Sequence, residues 1–172
     1  MKTSWSETVR LSEVGRGAER RVLEADEATR SALARELDLA ELPALSAEVR
    51  LSPWLDGAEV RGDWRARVVQ TCGVTLEPFE TALSGSFEVK AVPAGSPVAV
   101  QEEGGEVELD LEAADPPDVL ESDRIDLTAY FVEHLALELD PFPRKPGAEF
   151  EPPEAEPEAS PFAALLQLKP RD

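Results

Sequence analysis

The chain of 172 residues holds one cysteine, one histidine and one methionine, and only 17 basic side chains against 36 acidic ones. Each scarcity closes off a class of protein. A single cysteine allows no internal disulfide, so the sequence suits a reducing compartment. One cysteine and one histidine fall short of the about four nitrogen or sulfur ligands of a structural zinc site, and neither a metal nor a cofactor is expected. The opening MKTSWSETVRL lacks an apolar signal-peptide core, and no apolar run approaches the roughly 18 residues of a membrane span. The expectation is a soluble cytoplasmic protein without a membrane partner. At this length, one domain with appendages can bury a real core.

Catalytic signatures are equally scarce. There is no phosphate-binding glycine loop, no dinucleotide fingerprint and no HExxH. His134 sits inside the most apolar helical stretch, where a core or boundary histidine is the simpler reading than a general base. Cys72 and His134 together name two residue types of a dyad and nothing that aligns them. The many carboxylates lie in polar stretches with no partner to tune them. The sequence specifies no catalytic residue and no enzyme.

What is abundant is negative charge, unevenly placed. The net charge is −19. Residues 1–100 contribute −4, residues 101–160 contribute −16, and the last twelve residues come to +1. A field of that sign repels a phosphate backbone and suits a basic protein partner. The plainer alternative is that acidic blocks only solvate the chain.

Apolar periodicity outlines an α+β fold: a mostly antiparallel β core, a meander with the option of curling toward a barrel, and one or two packed helices. Trp5, Glu7, Val9 and Leu11 alternate with Ser6, Thr8 and Arg10, which reads as a strand, and Arg21–Glu24 as another. DEATRSALARELDL reads as a helix capped by Asp26, with Leu33 and Leu37 on one face. LSAEVRLSPWLDGAEVRGDWRARVV alternates on both sides of Asp56-Gly57, a hairpin signal, and FETALSGSFEVKAV adds a third strand. Val60, Trp64, Ala66 and Val68 share one face of the second strand, and Arg61, Asp63, Arg65 and Arg67 the other. Residues 94–124 read as a long acidic loop or a partly disordered segment. RIDLTAYFVEHLALELD is the strongest helix, capped by Asp126, with Leu127, Tyr130, Phe131, Leu135 and Leu139 too apolar for a surface helix and therefore packed on the sheet.

The expected domain runs over residues 1–143, including the 94–124 loop. Eight of the 15 prolines lie from residue 141 onward, so residues 144–159 read as an acidic, proline-rich linker. Residues 160–172 read as a short docking helix: Ser160 caps it, Pro161 opens it, and Phe162, Leu165 and Leu166 share one face. Such a helix needs a surface to fold on, and these three side chains are the candidate partner contact.

Arg61, Arg65 and Arg67, joined by Arg50 on the neighbouring strand and with Trp54 as a stacking surface, are the candidate RNA contact. The alternative is a solvated strand face with cross-strand pairs to Glu48 or Glu59.

VVQTCGVTLEPFETALSGSFEVKAVP, then IDLTAYFVEHLALELDPFPRKPG, then SPFAALLQLK resemble, in that order, the bacterial YceD-like proteins, also called large ribosomal RNA subunit accumulation proteins. The resemblance covers roughly residues 45–170. It implies a non-enzymatic ribosome-assembly factor that promotes accumulation or processing of large-subunit (23S) ribosomal RNA. The implied partner is a basic ribosomal protein or a large-subunit assembly intermediate, with rRNA itself as an alternative. Many relatives carry C-x-x-C where this chain reads Val69 to Cys72, so Val69 replaces the first cysteine. Some relatives also have a cysteine near Ala148-Glu149-Phe150 that is absent here. If those thiols bind metal in the relatives, this chain has lost the site, and Cys72 is then a small, half-buried residue at a strand end.

Overall fold

The computed structural model describes residues 5–14, 17–99 and 115–150. Strand β1 (Thr8–Arg10) leads into the single turn of helix α1 (Leu11–Val14), followed by β2 (Glu19–Glu24) and helix α2 (Glu27–Glu36). Three long strands come next: β3 (Glu41–Trp54), β4 (Gly57–Thr71) and β5 (Pro78–Pro93). The described chain closes with β6 (Asp118–Leu120), β7 (Arg124–Asp126) and helix α3 (Leu127–Glu138).

The meander read from the alternation is present. β2, β3, β4 and β5 pair antiparallel in sequence order, and β6 adds a parallel edge to β5 with Ala91 opposite Asp118. The sheet stays open rather than closing into a barrel, because its two edge strands, β2 and β6, are short and do not pair with each other. Alternation puts Val60, Trp64, Ala66 and Val68 of β4 into the core and leaves Arg61, Asp63, Arg65 and Arg67 outside. Within the core face two aromatics lie across glycines. Phe87 covers Gly62, its registered partner, and Trp64 covers Gly85. A side chain at either glycine would occupy the space of the ring. The indole N–H of Trp64 has no acceptor among the described residues.

Four local expectations change. The stretch from Trp5 to Leu11 is a strand only at Thr8–Arg10, because its partner β7 is three residues long before α3 begins. The second strand starts at Glu19, two residues ahead of the expected Arg21. The hairpin turn is centred on Leu55-Asp56, with Leu55 at φ 51°, while Gly57 already pairs with Trp54 as the first residue of β4. The acidic loop of 94–124 contains β6, held by the exposed edge of β5, and β7 begins at its last residue, Arg124.

Helix α3 buries Leu127, Thr128, Phe131, Val132 and Leu135 against the inner face of β4 and β5. Tyr130 and Leu139, expected on that face, are half-buried. Asp126 caps the helix as expected: its Oδ1 accepts from the amides of Thr128 and Ala129 at 3.1 and 3.2 Å. Its Oδ2 accepts from the Ser6 hydroxyl at 2.6 Å, so the cap also ties down the N-terminal strand. Replacing Asp126 with alanine is expected to cost about 1–2 kcal/mol, the usual range for losing a good N-cap. A denaturant midpoint unchanged from the parent would refute this assignment.

Candidate functional site

Register builds the basic face. Arg20 lies opposite Arg50, Arg50 opposite Arg61, and Arg61 opposite Glu88, in one row across four strands. Directly opposed arginines repel, and the neighbouring carboxylates offset this. Glu48 accepts from both Arg20 and Arg50, the latter at 3.3 Å. Arg61 is held between Glu59 and Glu88 at 3.1 and 3.0 Å. Arg67 reaches Glu80 at 3.5 Å. The Arg20 hydrogen bond, before any other cause, holds the Glu48 carboxyl below its ordinary value. Likewise the Glu88 hydrogen bond holds the Arg61 guanidinium charged more firmly than usual. Arg65 differs. It is exposed between Ser46 and Ser84 and makes no ion pair among the described residues.

Arg50, Arg61, Arg65 and Arg67 therefore do share one face, and three of the four are charge-paired. Trp54 lies on that face, with the Lys90 ammonium 5.5 Å from its ring centroid. Arg20, missed in the sequence, completes the row. Its signal was present once the second strand is started at Glu19 rather than Arg21.

On the other side of β5, a cleft of about 500 Å³ opens between α3, β5 and β6. Glu88, Asp115, Asp118 and Glu133 line it, with Lys90 and His134. Burial, and then the Asp118 carboxylate that its hydroxyl reaches, push the Tyr130 phenol well above its ordinary value. His134 donates from Nδ1 to the Tyr130 carbonyl at 2.8 Å and packs its ring on Phe87, 5.1 Å between centroids. No hydrogen bond joins it to Cys72 among the described residues. Nor does any group of three His, Cys, Asp or Glu among them come together as a metal would require.

Cys72 is fully buried, not half-buried, because two segments fold over it. The turn after β4 brings the amides of Val74 and Thr75 to 3.4 Å from Sγ. From 73 residues away, the amide of Lys145 also reaches 3.4 Å. Thr75 thus stands beside the sulfur. Val69 is paired within β4, opposite Glu80. Donation from the Thr75 hydroxyl, then from the Thr75 and Lys145 amides, draws the Cys72 thiol down to about 6. A folded-state value below the unfolded one stabilises the protein where the thiolate forms. That contribution is present at high pH and disappears as pH falls through about 6. The stability advantage of the parent over Cys72→Ser is therefore expected to widen between about pH 6 and 9. Urea midpoints measured across that range test this, and a difference that does not vary with pH would refute it.

The partner-contact candidates Phe162, Leu165 and Leu166 lie outside the described residues. So does most of the 144–159 linker. Its described start is held to the core: Lys145 pairs through Nζ with Glu77 at 2.8 Å. Among the described residues no helix is long and apolar enough to cross a membrane.

A family model described as "Large ribosomal RNA subunit accumulation protein YceD" matches residues 60–169. No curated protein and no solved structure matches the chain.

Proposed function

This chain belongs to the YceD family of large ribosomal RNA subunit accumulation proteins, and we propose that it serves that accumulation as a non-enzymatic assembly factor holding a basic ribosomal protein or assembly intermediate. The observation that carries the reading is the distribution of charge. The arginine-rich face is largely neutralised by Glu48, Glu59, Glu80 and Glu88, whereas the cleft beside α3 holds Asp115, Asp118 and Glu133, which make no ion pair among the described residues. A chain of net charge −19 with such a cleft attracts lysine- and arginine-rich surfaces and repels bare RNA. Phe162, Leu165 and Leu166 add an apolar contact to the same partner.

The test is binding to purified basic large-subunit ribosomal proteins at two salt concentrations. Binding that falls steeply with salt is expected, and Asp118→Lys with Glu133→Lys should weaken it about tenfold or more. Arg61→Ala with Arg65→Ala and Arg67→Ala should leave it intact. Unchanged affinity in the double reversal would remove the cleft from the interface.

A second reading, direct RNA contact through the sheet face, is favoured by one observation: Arg65 is exposed and lacks a carboxylate partner among the described residues. Under that reading the arginine variant, not the carboxylate reversal, loses a salt-dependent complex with precursor rRNA.

A further inference from the structure

A second depression, of about 760 Å³, lies between the turn after α2, the end of β4 and the C-terminal end of α3. Its apolar lining includes Leu37, Leu39, Ala136, Leu139, Pro141 and Pro143, beside the polar Glu36, Gln70 and Thr71. Asp38 and Asp140 line it as well. Residues 140–143 are firmly placed. Gln70 Nε2 donates to the Asp140 carbonyl at 3.0 Å, and the Gly73 amide donates to that of Pro143 at 2.9 Å. Phe142, in this stretch, stands 80% exposed.

We infer that this groove seats the chain's own C-terminal segment, residues 160–168, with Phe162, Leu165 and Leu166 against its apolar lining. The path of the chain is the first argument. Residues 140–143 lie in the segment from which the chain runs on to its end: 22 residues follow residue 150. A tether of about ten residues can span roughly 30 Å, so residue 160 reaches the groove without strain. Side chains at i, i+3 and i+4 form one helical stripe, which suits the apolar part of this lining. Charge is the second argument. Lys169 and Arg171 come within five positions of Leu166 in the sequence, and the groove is lined by Glu36, Asp38 and Asp140, so the charges are complementary. A second copy of the chain is the poorer occupant, because two molecules of net charge −19 repel, while a tethered segment is held at high local concentration. The consequence is that a partner using the same three side chains must first draw them out of the groove. The seat itself does not depend on who that partner is.

The experiment uses the full chain, labelled for amide NMR. Phe162→Ala with Leu166→Ala should move the resonances of residues 37–40, 70–71 and 136–142, and equally at concentrations a hundredfold apart. Ala136→Arg, which fills the groove, should move the resonances of residues 162–168. A peptide of residues 158–172, added to the double variant, should restore the parent groove shifts and bind at least tenfold more weakly once Ala136→Arg is present. Groove resonances that ignore the double variant overturn the inference, as does a peptide whose binding is unaffected by Ala136→Arg. Shifts that vanish on dilution overturn it too, since they would assign the groove to a second copy.

Discussion

Gly57→Ala is expected to lower the melting temperature by about 10 °C, the largest loss from any single-methyl change in the sheet. A Cβ on Gly57 would stand 2.0 Å from the Ala91 carbonyl oxygen and 2.9 Å from the Val92 Cα. Both are backbone atoms of β5, so no side chain can rotate away. Relief requires parting β5 from the hairpin at the point where β5 also carries β6. Overpacking of a rigid site costs typically about 1–3 kcal/mol and more where backbone must move. At the upper end, with about 2–4 °C per kcal/mol for a protein of this size, the shift is of that order. Gly62→Ala meets the edge of the Phe87 ring at 2.3 Å and should cost less, because a ring can tilt. Gly95→Ala meets nothing within 4 Å and serves as the control, expected within about 0.5 kcal/mol of the parent. If Gly57→Ala melts with the control, β5 does not cross the hairpin as closely as described.

Deleting residues 160–172 should have the opposite profile: a melting temperature close to the parent and no function in cells. Burying Phe162, Leu165 and Leu166 offers on the order of 5 kcal/mol, at about 1.5–3 kcal/mol for each side chain. Ordering the segment takes back at least as much. A contact so nearly balanced contributes little to the stability of the core, yet it can pass from the groove to a partner at small cost. The readouts are a thermal melt of the truncated protein and the level of large-subunit rRNA in cells that carry it as their only copy. Phe162→Ala with Leu166→Ala should behave the same way. A truncated protein that melts far below the parent would make the tail an integral part of the core and end the partner-contact proposal. Normal rRNA levels in those cells would end it equally.

These two expectations draw on different sources, and the difference bears on what could be read from the residues alone. Strict alternation on either side of Asp56-Gly57 determined that two long strands pair there, since a one-residue slip would turn every apolar side chain of β4 to water. The same alternation assigned Val60, Trp64, Ala66 and Val68 to the core and Arg61, Arg65 and Arg67 to the outside. Asp26 and Asp126 announced the starts of α2 and α3, because capping is a contact over two or three residues. All of these are short-range rules, which sequence carries well, although the turn itself moved one residue to Leu55-Asp56.

What tertiary structure decided is everything that depends on which distant residues meet. The function of Gly57 changed from turn former to close-contact residue because Ala91, 34 positions later, passes over it. The arginine face is largely paired rather than free because register sets Glu48, Glu80 and Glu88 beside it. Cys72 became a fully buried hydrogen-bond acceptor because Lys145 arrives from the far end of the chain. Asp118, inside a stretch that composition marks as loop, pairs with β5 and turns toward Tyr130. The acidic cleft and the apolar groove likewise each join segments far apart in sequence. Periodicity tells a side chain which way to face, but only the folded chain supplies what it faces.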